Sequence, residues 1–148
     1  MSLIETLNAD LKTAMKARDK ATLAVVRMLK AAVTNEQIKL GHELNDQEGL
    51  AVLATELKQR KESLDEFQKA GREDLVTPLL GEIEIVKHYL PQQLTEAEVS
   101  DLVTTTVAKL NATSTKDFGK VMQTLMPQVK GRADGALVNR LVKAALTK

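Results

Sequence analysis

Few side chains in this 148-residue chain suit covalent chemistry. It has no cysteine, which excludes thiolate nucleophiles, thiolate zinc sites and disulfides. The two histidines, His42 and His88, are too few for a metal cluster, and neither a metal nor a cofactor is expected. His88 follows Glu84 by four positions, so on a helix a carboxylate would meet an imidazole, as in a general base. No nucleophile or substrate anchor accompanies the pair, and a boundary histidine is the better reading. No catalytic residue is assigned.

Binding chemistry is better represented. From Ala112 onward seven basic residues face two acidic ones, a net of +5 on the last 37 residues, which leaves the first 111 at −4. A basic tail on an acidic body steers towards polyanions, with affinity that falls as salt rises. The plain alternative is that lysines near helix C-termini complement the helix dipole, which accounts for Lys130 and Lys148 better than for Lys120, Arg132 or Lys143. The candidate phosphate contacts are Lys120, Lys130, Arg132, Arg140 and Lys143, with Asn139 as a hydrogen-bonding partner for RNA. Aromatics are limited to Phe67, Tyr89 and Phe118, so recognition would be of folded shape and backbone rather than of stacked bases. Lys130-Gly131-Arg132-Ala133-Asp134-Gly135 has two glycines near a helix start and could cradle one phosphate. A helix–turn–helix corner, with Gly131 closing one helix and Asp134 capping the next, explains it equally well.

The elements that must position these residues are all helical. Ser2 with Glu5, Asn45 with Glu48 and Thr95 with Glu98 are capping-box patterns. Leu3, Leu7, Leu11 and Met15 mark the face of a first helix. Asp19 opens a second, carrying Leu23, Val26, Leu29 and Val33 and stopping near Leu40 before Gly41. The longest helix is predicted over 45–70, with Leu50, Leu53, Leu57, Leu64 and Phe67 inward and a gap at Arg60/Lys61. Lys58, Arg60, Lys61, Glu62, Asp65 and Glu66 read as its solvated face, with Lys58–Glu62 and Lys61–Asp65 pairing across one turn. Thr77-Pro78 predicts a helix start, and Pro91 an end. In the tail, Phe118, Val121, Met122 and Leu125 form one apolar stripe, and Leu137, Leu141, Val142 and Ala145 another. The expected architecture is all-α: an N-terminal domain of long antiparallel helices over 1–92, then a three-helix domain over 93–148. No signal-peptide pattern and no membrane span is evident, so a soluble cytoplasmic protein with no membrane partner is expected.

The chain resembles the YqeY family nearly end to end. The resemblance rests on Glu56-Leu57-Lys58-Gln59-Arg60-Lys61-Glu62-Ser63, Phe67, Ala70-Gly71-Arg72-Glu73-Asp74-Leu75 and Tyr89-Leu90-Pro91-Gln92-Gln93-Leu94. It continues through Asp117-Phe118-Gly119-Lys120-Val121-Met122 to Lys130-Gly131-Arg132-Ala133-Asp134-Gly135. Thr77–Gly81 departs from the family's usual acidic, proline-free helix. The tail also resembles the C-terminal domain of GatB, the tRNA-binding subunit of the glutamine-dependent amidotransferase. The resemblance implies a module that binds tRNA, or associates with an amidotransferase or other translation-related proteins. It also suggests a link to carbon–nitrogen ligase activity with glutamine as amido-N donor, exercised as a subunit of an assembly. The chain lacks a cysteine nucleophile and the phosphate-loop spacing such a reaction would use. A protein–protein adaptor built on the charged helix over 45–70 is a further alternative.

Overall fold

The computed structural model describes residues 1–147, and every regular element among them is helical. Seven α-helices follow in order: α1 (Leu3–Ala17), α2 (Lys20–Leu40), α3 (Asp46–Lys69), α4 (Glu73–Lys87), α5 (Glu96–Leu110), α6 (Phe118–Val129) and α7 (Gly135–Leu146). A 3-10 turn, Thr115–Asp117, precedes α6. Backbone contacts divide the chain into two compact units, Met1–Leu90 and Pro91–Lys148. None of the helices among the described residues is long and apolar enough to cross a membrane.

Local chemistry sets most helix ends. Ser2, Asn45 and Thr95 each accept from a backbone N–H three residues on, while Glu5, Glu48 and Glu98 return a bond to the cap's own N–H. Asp19 accepts from Thr22 N at 3.1 Å and opens α2. That helix closes on Gly41, whose φ of 78° places it in the left-handed region.

In the N-terminal unit α2 packs against α1, α3 and α4, with Val26, Leu29 and Val33 buried among Leu7, Leu53 and Ile83. Four side-chain and boundary expectations change here. Met15 is 54% exposed, and Ala14 takes the inward position instead. Successive four-residue steps overshoot a 3.6-residue turn, so the series Leu3, Leu7, Leu11, Met15 drifts off the face and a three-residue step restores it.

The fourth helix begins at Glu73 rather than at Thr77-Pro78, and runs through Pro78. Proline in a helix interior costs about 3 kcal/mol through its missing N–H and its clash with the preceding turn. Here the deprived carbonyl belongs to Asp74, an exposed residue in the first turn where water can serve it. Continuing the helix back to Glu73 puts Val76 in the same buried row as Leu79, Ile83 and Val86. Glu73 and Asp74 also suit the positive end of the helix dipole.

Arg60 is not on a solvated face. It is 6% exposed, in step with Leu53, Leu57, Leu64 and Phe67. Its Nη1 donates to the Glu56 carbonyl at 3.1 Å and to Glu56 Oε2 at 2.8 Å, and its Nε lies 3.4 Å from Glu82 Oε1 on α4. On the outer face Asp65 pairs with Lys69 at 2.9 Å in place of the expected Lys61.

In the C-terminal unit α5, α6 and α7 each pack on the other two around Val99, Val103, Val121, Leu125, Val138 and Val142.

Candidate nucleic-acid interface

The basic residues of the tail are placed by two helices and the turn between them. Burial of Val121, Leu125 and Val129 fixes the rotation of α6 and leaves Lys120, one position before Val121, on its exposed side. The helix ends in a type II turn. Lys130 has φ −60° and ψ 125°, Gly131 has φ 74°, and Arg132 N donates to Val129 O at 2.9 Å. The second inner position of this turn requires a positive φ, which is why glycine stands there. Lys130 occupies the outer corner and is exposed.

Three hydrogen bonds fasten this corner to the segment that leads into α5. Leu94 N donates to Arg132 O at 2.8 Å, Gln93 Nε2 donates to Gly131 O at 2.8 Å, and Arg132 Nε donates to Gln92 O at 3.2 Å. The last of these orients the guanidinium of Arg132 by one edge. Among the described residues its two Nη groups have no partner, so a planar pair of donors remains for an incoming anion.

On α7, burial of Val138 and Val142 leaves Arg140 and Lys143 exposed and Asn139 half-buried. Arg140 Nη2 donates to Glu96 Oε1 at 2.8 Å, in the first turn of α5. Lys143 Nζ lies 5.8 Å from the centre of the Phe118 ring, a cation–π contact with the first residue of α6.

The six candidates are therefore divided. Lys130, Arg132 and Arg140 gather about the Gln92–Glu96 segment, with Asn139 beside Arg140. Lys120 stands ten residues before Lys130, about 15 Å along the helix axis at 1.5 Å per residue. Lys143 stands one turn beyond Arg140 on α7 and reaches Phe118, whereas Lys120 projects from the other side of α6 to Phe118, so Lys120 and Lys143 do not form one patch. Sequence reasoning missed Glu96 and Gln92 as partners. Glu96 is an acid in the first turn of α5, and its arginine lies 44 positions away, beyond the reach of local pattern.

The phosphate-cradle reading of Lys130–Gly135 does not suit the geometry. Asp134 Oδ1 accepts from Ala136 N at 3.2 Å, so a carboxylate already occupies the α7 N-terminus and would repel a phosphate there. The Glu84–His88 pair of the N-terminal unit is not formed. Glu84 Oε1 lies 3.6 Å from Lys87 Nζ, and His88 borders a shallow depression of about 330 Å³ with Thr22, Glu84, Ile85 and Lys87. The Thr22 hydroxyl there donates to Asp19 Oδ2 at 2.7 Å, its proton committed to the α2 cap. Among the described residues no group of three or more His, Asp or Glu side chains is arranged to hold a metal ion.

Comparison with known proteins gives a consistent result. A family profile described as Yqey-like protein matches residues 4–146. Several fungal proteins named altered inheritance of mitochondria protein 41, mitochondrial, are similar over most of the chain. The one from Pyrenophora tritici-repentis is 28% identical over 144 residues, covering 95% of this chain and 79% of the relative. A Saccharomyces cerevisiae counterpart is 32% identical over 132 residues, covering 88% and 70%. That of Lachancea thermotolerans is 36% identical over 110 residues, covering 72% and 59%. These names correct the cytoplasmic expectation, because relatives named as mitochondrial point away from it. That expectation rested on the lack of a signal-peptide pattern and of a membrane span, and neither absence names a compartment.

Proposed function

The chain belongs to the YqeY family, and from that premise we propose that it is a non-catalytic module that binds the backbone of folded RNA, with tRNA as the intended class. The observation that carries this reading is the fastened basic corner, in which Arg132 is oriented by Gln92 with both Nη groups unpartnered among the described residues, beside exposed Lys130. Such a fork suits bidentate contact with a phosphate, and a held fork loses less entropy on binding than a free one. The charge balance supports it. Residues 91–148 carry eight basic and five acidic side chains, a net of +3, against −2 for residues 1–90.

The reading is tested by titrating purified protein with tRNA across a range of salt, with heparin as an unrelated polyanion. Binding is expected to favour tRNA, and to weaken about tenfold in the Lys130→Gln/Arg132→Gln double variant. The slope of log affinity against log salt should flatten by nearly two units, one per lost phosphate contact. Lys120→Gln/Lys143→Gln should cost less. Equal affinity for tRNA and heparin overturns the tRNA assignment, and an unchanged double variant overturns the corner.

A further inference from the structure

Arg60 carries more donors than its surroundings satisfy. Among the described residues Nη1 serves Glu56 twice, Nε lies 3.4 Å from Glu82 Oε1 without a hydrogen bond, and the contact of Nη2 is the thioether of Met28 on α2, at 3.8 Å. A thioether is a weak acceptor, and this guanidinium is 6% exposed. Met28 itself is 51% exposed, so its sulfur can meet a dissolved oxidant while touching a buried cation. An under-satisfied buried donor on one side and solvent on the other is an unusual setting for a methionine.

We infer that Met28 is a reversible oxidation site, at which a hydroperoxide converts the thioether to a sulfoxide that Arg60 then holds. The sulfur lone pair attacks the outer peroxide oxygen, the O–O bond breaks, and the released hydroxide or alkoxide takes up a proton as water or alcohol. Sulfur is oxidised by two electrons and the peroxide is reduced by two; a thiol-dependent sulfoxide reductase reverses the step. The new oxygen, a strong acceptor, stands on the atom that Nη2 already approaches. Oxidation of a buried methionine ordinarily loosens packing, because a polar group enters an apolar place. Here it replaces the weak thioether acceptor of Nη2 with a strong one, so the contact between α2 and α3 tightens.

Met15 is similarly exposed, at 54%, so the test uses a Met15→Leu background. That protein and its Met28→Leu derivative are treated with limiting hydrogen peroxide, mapped by peptide mass spectrometry and melted before and after treatment. The derivative accounts for any effect of oxidising Met1. Oxidation of Met28 is expected to raise the melting midpoint by a few degrees relative to the derivative, and sulfoxide reductase to return it. The Arg60 side-chain NMR resonances should move downfield on oxidation. An unchanged or lowered midpoint overturns the inference, as does failure of Met28 to oxidise at a dose that oxidises Met1.

Discussion

Arg140 on α7 and Glu96 on α5 form an exposed ion pair, with Nη2 and Oε1 2.8 Å apart and the side chains 63% and 62% exposed. The pair sits beside the Lys130–Arg132 corner, so it sets how much of the positive charge there is available to an anion. Its two ends come from opposite ends of the C-terminal unit's sequence.

An exposed ion pair contributes little to stability. Glu96→Gln should therefore leave the thermal midpoint essentially unmoved while freeing Arg140 for phosphate. Polyanion affinity is expected to rise several-fold, and the salt slope to steepen by about one unit, in the same tRNA titration. Loss of affinity on removing this acid would show that Glu96 is itself a contact.

The Tyr89 hydroxyl donates to Asp10 Oδ2 and ties the chain after α4 to α1. Burial first, and the Asp10 bond second, push the Tyr89 hydroxyl well above its ordinary titration range. Below about pH 10 both folded and unfolded chains keep this proton. Above it the unfolded chain releases the proton first, so stability falls as pH rises through the gap. Tyr89→Phe should cost about 1 kcal/mol at neutral pH and remove that part of the alkaline decline, read from urea melts at pH 7 and 10.5.

Arg60 pairs with Glu56 one turn back on α3 at 2.8 Å and reaches Glu82 on α4 at 3.4 Å. Removing the cation leaves two carboxylates facing each other in a partly buried place. Arg60→Ala should destabilise by about 3 kcal/mol in urea, and Arg60→Met by less because it keeps the packing stem. Equal losses would assign the effect to the guanidinium alone.

Gly131 holds φ 74° at the turn that presents Lys130 and Arg132. An alanine there is strained by about 1–2 kcal/mol. Gly131→Ala should lower stability by that amount and weaken tRNA binding several-fold, while Gly119→Ala, with open space around its Cβ position, should do neither.

The helices and their ends were legible because the forces that make them are local. A capping box closes within three residues, as at Ser2–Glu5 and Thr95–Glu98, and an apolar stripe repeats within one turn, as at Val121 and Leu125. Thr77-Pro78 failed as a helix start because burying Val76 against the core outweighed a local proline preference. Arg60 announced itself only as a gap in the apolar series. Its position in the four-three rhythm was the signal, and its charge concealed it.

The sequence by itself determined an all-helical chain of this family, its caps and a basic tail, since those depend on residue type and near neighbours. Tertiary structure alone decided which charges are spoken for. Glu96 claims Arg140, Gln92 orients Arg132 and Glu82 approaches Arg60, each across many intervening residues. Coulombic and hydrogen-bonding energies depend on separation in space, and separation along the chain does not report it.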